Sequence, residues 1–272
     1  MRIRYFLQVL VIIGVMSACG NSKQVVAPAV ESQVNLMDQQ MMSVLWMQHS
    51  HEVKIMQEQQ YRNAARKLKE NLRQASGDNL LAVILDIDET VLDNSPYEAR
   101  LIRDGEKYSD ESWDLWVKER QAALIPGARE FLMEAERLGI EVFYISNRSI
   151  EHLEPTIENL MTYNLPAADE SHVLLKVEDP DKTERRNTVK DKFEVILYVG
   201  DQLSDFVEEQ DSFQEDMADN EEMVEHALKY FVILPNPMYG GFEKMLYNNQ
   251  SGLTDRQIDQ KRRDALITKR KK

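Results

Sequence analysis

Cysteine is almost absent from this chain: Cys19 is the only one in 272 residues, so no intrachain disulfide can form. Positive charge is short as well. Lysine and arginine total 33 against 47 aspartates and glutamates, a formal net charge of −14. That balance argues against general binding to nucleic-acid polymers, which depends on lysine and arginine at phosphates. It leaves room for a small phosphorylated ligand, because a pocket can be locally positive on an acidic protein. The five histidines show no zinc-ligand spacing, and His49 and His51, two residues apart, diverge on a helix. No internal repeat is visible. The apolar run at residues 6–15 is too short to cross a bilayer, and a multispanning membrane protein is excluded. What remains, 43% hydrophobic and 29% charged, is the composition of a folded protein. The length suits one large domain, or a core with a smaller cap.

The lone cysteine has an explanation in its surroundings. Arg2 and Arg4 precede the apolar run, and Met16-Ser17-Ala18-Cys19 follows it, a pattern that reads as a signal peptide over residues 1–18. The small-small-Cys ending resembles a bacterial lipobox, with Met16 where leucine is usual. Lipidation at Cys19 is therefore expected, with residues 19–34 as a tether from a lipid bilayer.

Residues 35–76 contain no glycine or proline and read as one or two helices, with Met41, Met42, Met47 and Met56 as packing positions. From residue 81 to 234 the chain alternates apolar runs with helical stretches. Runs at 81–85, 141–145, 172–175, 195–199 and 230–234 predict strands of a parallel sheet covered on both faces. Residues 127–138 and 150–163 are the clearest crossover helices. The expected class is α/β, a parallel sheet flanked by helices with a smaller, mostly helical cap. The cap is assigned to residues 35–78 and an insertion at 96–124, the core to 79–95 and 125–240, and a solvated helical tail to 241–272.

Polar residues follow the apolar runs, which in an open α/β sheet places them at the binding edge. Asp86 and Asp88 end the first run, Ser146, Asn147 and Arg148 the second, and Asp201 and Asp205 follow the run at 195–199. Two close carboxylates repel unless a cation or a shared proton compensates them, and Mg²⁺ prefers such oxygen ligands. Lys182 adds a cation between the two acidic groups. An acid pair, a hydroxyl, a lysine and a second acid pair, in that order, suit phosphoryl transfer: one carboxylate attacks phosphorus, another carboxyl protonates the leaving oxygen, and cations neutralise the remaining oxygens. An Asp-x-Asp alone carries little weight; the second acidic pair in the right order gives it force.

Ile84-Leu85-Asp86-Ile87-Asp88-Glu89-Thr90-Val91-Leu92-Asp93-Asn94-Ser95-Pro96-Tyr97 and Val199-Gly200-Asp201-Gln202-Leu203-Ser204-Asp205-Phe206 resemble the paired signatures of the class C (DDDD) bacterial acid phosphatases of the HAD superfamily. Within that group the chain is most similar to the 5′-nucleotidase, lipoprotein e family, over residues 45–240. The resemblance implies Asp86 as nucleophile and Asp88 as general acid and then base. It implies Mg²⁺ on Asp86, Asp201 and the Asp88 carbonyl, with Asp205 in support. It also implies Ser146, Asn147 and Lys182 around the phosphoryl group, and Trp113 and Tyr239 stacking on a nucleobase. Arg185 competes with Lys182 as phosphate cation, and Trp116 with Trp113 as stacking ring. The implied protein is an exported, outer-membrane lipoprotein, a phosphomonoesterase active at acidic pH on nucleoside 5′-monophosphates or nicotinamide mononucleotide, with a second copy of the chain, as a homodimer, among its expected partners. Two rival expectations are a broad acid phosphatase or phosphotransferase and an inactive surface lipoprotein serving adhesion or storage.

Overall fold

The structure is a computed structural model that describes residues 35–75, 77, 79–208 and 220–269. The expected signal peptide, Cys19 and the tether lie outside the described residues. Five strands form one parallel sheet. In chain order they are β1 (Leu81–Leu85), β4 (Glu141–Ser149), β5 (Val173–Lys176), β6 (Glu194–Gly200) and β7 (Phe231–Ile233). Their order across the sheet is β5-β4-β1-β6-β7. From β1 the chain moves outward through β4 to β5, then returns to the other side of β1 for β6 and β7. The topological switch point therefore lies between β1 and β6, where open parallel sheets bind ligands at their carboxyl ends.

The two-residue period of a strand divides the core. Val83 and Leu85 of β1 face one side, with Val142, Tyr144, Leu197 and Val199. Helices α2 (His51–Leu72), α5 (Ala128–Arg137) and α6 (Leu153–Thr162) contribute Tyr61, Leu68, Phe131, Leu132 and Leu160 to that side. Ala82 and Ile84 face the other, packed with Val189 of α7 (Thr183–Lys190) and Met223 and Ala227 of α8 (Glu221–Tyr230). Both faces of β1 are thus dry, which is why its sequence is apolar throughout. β4 runs past the apolar stretch to Ser149, because its polar end still pairs with β5 through Ser146–Leu175 and Ser149–Lys176 after a register shift.

The helical stretch at 35–76 breaks at Ser50. Its backbone N–H bonds Trp46 O to end α1 (Leu36–His49), and its hydroxyl accepts from the Glu52 and Val53 N–H groups to start α2. The two helices part company there. α1 packs on α3 (Ser95–Asp104), on the cap side. α2 instead covers the sheet: Lys67 Nζ donates to Phe231 O at 2.7 Å and Asn71 Nδ2 to Ile196 O at 2.7 Å. Its assignment to the cap is corrected accordingly. Of the four methionines, only Met47 is buried. Met41, Met42 and Met56 are exposed, since each helix meets the protein along one side only.

The insertion leaves and rejoins the core through β2 (Leu92–Asp93) and β3 (Ala123–Leu124), which pair antiparallel as a two-stranded neck. Between them lie α3 and α4 (Asp110–Glu119). The C-terminal part is not a free tail. It forms α9 (Gly241–Leu246) and α10 (Asp255–Asp264), and Arg262 of α10 pairs with Glu243 while donating to Gln39 Oε1 at 2.7 Å and Tyr247 Oη at 2.9 Å. The C-terminal segment is thereby fastened to α1.

Candidate active site

Asp86 stands at the carboxyl end of β1, where its N–H still bonds Val199 O of β6 at 2.9 Å. The next residues turn sharply. Ile87 O accepts from the Val91 and Leu92 N–H groups, and Glu89 takes a left-handed φ of 59° to close the turn. Asp88 therefore leaves the line of the strand, and its carboxylate faces different partners from that of Asp86.

Asp86 is buried and hydrogen-bonded by Lys182 Nζ, which also donates to Asp205 Oδ1 at 2.7 Å. The other oxygen of Asp205 accepts from the N–H groups of Asp201 (3.1 Å) and Gln202 (2.9 Å), shaping the turn after β6. Asn236 Nδ2 donates to Asp201 Oδ2 at 2.8 Å. Gly200 matters for this packing, since a Cβ there would run into the Asp205 carboxylate. Asp86, Asp201 and Asp205 each offer an oxygen within 4.8 Å of the others. Burial pushes Asp86 up to about 7 against the pull of Lys182. Burial, and then repulsion from Asp205 and Asp86, raises Asp201 well above the carboxylate range. A cluster of buried oxygens that resist simultaneous ionisation, with one lysine among them, fits a hard divalent cation.

Asp88 sits in the opposite environment. Its carboxylate accepts from Arg148 Nη2 at 2.7 Å and Nε at 3.0 Å, from Ser146 Oγ at 2.9 Å and from Asn94 Nδ2 at 2.8 Å. Burial works to raise its pKa, but Arg148 and the bonds from Ser146 and Asn94 outweigh burial and hold it below the usual range. Behind it, Arg148 Nη1 donates to Thr156 Oγ1 at 3.1 Å, and Trp116 Nε1 donates to Asn94 Oδ1 at 2.8 Å.

A cavity of about 650 Å³ opens over these groups, with Asp86, Asp88, Lys182 and Asp201 at its polar end and Trp113, Tyr97, Tyr108 and Tyr239 among its walls. Tyr97 meets Trp113 edge to face at 5.0 Å, and the Arg148 guanidinium lies 5.6 Å from the Trp113 ring centre. The members of the two competing pairs differ in position. Lys182 reaches the aspartates, whereas Arg185 donates to Ser146 O at 2.6 Å and Asn147 Oδ1 at 2.7 Å, bracing the loop. Trp113 lines the cavity, whereas Trp116 is 3% exposed and bonded to Asn94. Asn147 lines the cavity too. Ser146 is fully buried and its hydroxyl is engaged by Asp88.

Sequence reasoning assigned no role to Asn94 or Asn236 and weighed Trp116 only as a stacking ring. Asn94 lies within the first quoted motif and Asn236 well beyond the second; nothing in the spacing of Trp116 distinguished it from Trp113.

A family model described as HAD superfamily, subfamily IIIB (acid phosphatase), matches residues 14–242. The chain belongs to this family. Among solved structures, the class C acid phosphatase from Bacillus anthracis is similar with a TM-score of 0.78 and 36% identity, covering 87% of this chain and all of that one. A tungstate-bound structure of class C acid phosphatase from the same organism gives 0.79 and 34% with the same coverage. Among curated proteins, acid phosphatase 1 of Solanum lycopersicum is 32% identical over 164 residues, 57% of either chain. Vegetative storage protein 1 of Arabidopsis thaliana is 29% identical over 136 residues, 46% of this chain and 49% of that one. The chain thus spans about half the length of the curated relatives it matches. In this subfamily IIIB chain the two acidic pairs, far apart in sequence, meet at the switch point of the sheet.

Proposed function

We propose that this protein is an exported, lipid-anchored acid phosphomonoesterase that uses Mg²⁺ and acts on nucleoside 5′-monophosphates or nicotinamide mononucleotide. The observation that carries the reading is one cavity with a lysine-bridged aspartate cluster at one end and aromatic rings along its walls. Membership of an acid phosphatase family supports the chemistry. So does a similar class C enzyme solved with tungstate, a tetrahedral oxyanion like phosphate. Anchoring through Cys19 rests on the sequence pattern alone.

In this reading an oxygen of Asp86 attacks phosphorus while the bond from phosphorus to the ester oxygen breaks. The Asp88 carboxyl gives its proton to the departing alkoxide. Asp88, now a carboxylate, takes a proton from water as the water oxygen attacks the Asp86-bound phosphoryl group. Phosphate leaves and both carboxyls return to their starting forms. Lys182 balances charge beside Asp86 and the phosphoryl oxygens, and Asn147 offers an amide to them. Asp86, Asp201 and the Asp88 carbonyl would hold Mg²⁺, with Asp205 in support, and the ion would supply further neutralisation of phosphoryl charge. Trp113 and Tyr239 would stack on the ring of the leaving nucleoside. Acid conditions favour the protonated form that Asp88 needs.

The test is phosphate release by the soluble form beginning after Cys19, at pH 5 to 6, with Mg²⁺ or EDTA. Release from AMP or nicotinamide mononucleotide well above glycerol phosphate, lost in EDTA and in Asp86→Asn, is the expected result. Equal release from all monoesters sinks the nucleotide preference. No release by folded, metal-loaded protein would bring forward a storage or binding role, which similarity to a vegetative storage protein makes a concrete rival.

A further inference from the structure

The C-terminal segment carries charge that phosphoryl chemistry does not use. Residues 261–272 hold seven lysines and arginines against one aspartate, in a chain whose net charge is −14. Such a separation gives the molecule one basic end. Part of that end is fixed in place. Asp259 accepts from Gln39 Nε2 at 2.6 Å, and Arg262, on the next turn of α10, donates to Gln39 Oε1 at 2.7 Å and to Leu36 O at 3.5 Å. The helix is thus held against the first turn of α1. Beyond it, Leu266 and Ile267 are 69% and 86% exposed. Lys269-Arg270-Lys271-Lys272 follows them in sequence. Two bare aliphatic side chains beside four basic residues complement a surface that is anionic outside and apolar beneath, as a bilayer of anionic phospholipid is.

Chain continuity points to the same surface. The stretch expected to carry the acyl anchor, residues 19–34, joins the described fold at Asn35, one residue before the carbonyl that Arg262 reaches. A stretch of that length spans no more than about 55 Å even when fully extended. We propose that residues 265–272 make a second, electrostatic contact with the anionic phospholipid bilayer that holds the N-terminal anchor. Which bilayer they meet rests on the lipid-anchored reading above. Arg262 and Arg263 are paired with Glu243 and Asp259, so Lys269 to Lys272 carry the contact. Each basic residue at an anionic surface is worth about fivefold in partition, and four multiply to several hundred-fold. That strength supplements an acyl anchor and does not replace one, since a single weak membrane signal gives only reversible binding.

The experiment sediments the soluble form beginning after Cys19 with vesicles of phosphatidylcholine, alone or mixed with phosphatidylglycerol, at low and at high salt. Wild type is compared with a charge variant, Lys269→Gln, Arg270→Gln, Lys271→Gln and Lys272→Gln together, and with Leu266→Ser and Ile267→Ser together. An unchanged Tm confirms that each variant is folded. Wild type is expected to sediment only with the phosphatidylglycerol vesicles, and high salt to release it. The charge variant's partition falls by about 100-fold or more, and the apolar variant's by about tenfold. Equal binding to both kinds of vesicle, or undiminished binding by either variant, overturns the proposal. Retention on heparin without vesicle binding overturns it in favour of a polymeric anion. This form has no acyl chain, so absence of vesicle binding overturns the second contact alone. A full chain whose membrane fraction ignores Cys19→Ala, with vesicle binding intact, overturns the anchor alone.

Discussion

Replacing Lys182 by methionine keeps the length of the side chain and removes its charge, so it isolates what the ammonium does. Lys182 is 5% exposed and bonds both Asp86 and Asp205, whose side chains are similarly buried. Breaking a buried ion pair by deleting one partner costs about 3–5 kcal/mol, because the remaining charge is left uncompensated. The cost depends on pH, and its sign follows from linkage. Burial holds Asp86 up to about 7 even with the lysine beside it, and without the lysine Asp86 binds its proton more tightly still. Stability of the variant relative to wild type therefore falls as pH rises through about 7. Near pH 4.5 Asp86 is protonated in both proteins and the deficit is smallest; near pH 7.5, where wild-type Asp86 is largely ionised, it grows toward the full value, a drop in Tm on the order of 10 °C. Thermal melts of both proteins at the two pH values, in EDTA and in millimolar Mg²⁺, test this. Mg²⁺ is expected to narrow the gap at pH 7.5, since a cation replaces part of the lost positive charge. Equal Tm deficits at pH 4.5 and pH 7.5 would refute the electrostatic argument and reduce Lys182 to a packing residue.

Three further outcomes follow from the same geometry. Trp116→Phe removes the N–H bonded to Asn94 Oδ1, leaving a buried acceptor unpaired at about 1–3 kcal/mol of stability. It also loosens the amide that holds Asp88 and lowers kcat by about 10- to 100-fold; the loss should be larger for alkyl than for nitrophenyl esters, whose better leaving group needs less acid assistance, and an equal loss for both would detach Trp116 from Asp88. Gly200→Ala drives a Cβ into the Asp205 carboxylate, so activity titrated against Mg²⁺ should require more metal and reach a lower maximum; wild-type behaviour would show that Asp205 has room to shift. Cys19→Ala in the full chain should move the protein from the membrane fraction to the soluble fraction, and an unchanged distribution would remove the lipid anchor from the proposal.

Much of this framework could be read from sequence because its signals are local. A continuous apolar run can only be a fully covered strand or helix, and runs of five residues ending in aspartate or glycine left little choice. The carboxyl end of each run then located Asp86 and Asp201. The core-facing stripe of α2 is Tyr61, Ala64 and Leu68, none of them singled out from sequence, and a stripe in any case states that a helix has a partner without naming it. Hence α2 was assigned to the cap when it covers the sheet. The ends of β4 and the C-terminal segment were missed for a related reason: their polar residues look solvated until a neighbouring strand or α1 is placed beside them.

The Asp-x-Asp motif separates two identical side chains by one residue and gives them opposite electrostatics. Protein groups alone push the proposed nucleophile, Asp86, upward and hold the proposed acid, Asp88, downward. Each shift is the reverse of what the reaction needs at the moment of attack. Ligand charges work in the other direction on both. A divalent cation, which Asp86 and Asp201 would hold in the proposed reaction, would favour the ionised form of Asp86. A phosphoryl dianion placed beside Asp88 disfavours its charge and draws a proton to it, as like charges do. In the proposed reaction the two carboxyls therefore reach their working protonation states only when metal and substrate are both bound. Arg148 fits this scheme as the group that holds Asp88 in place, through a two-point contact and the Thr156 bond behind it, while the charge of the substrate decides whether Asp88 carries a proton.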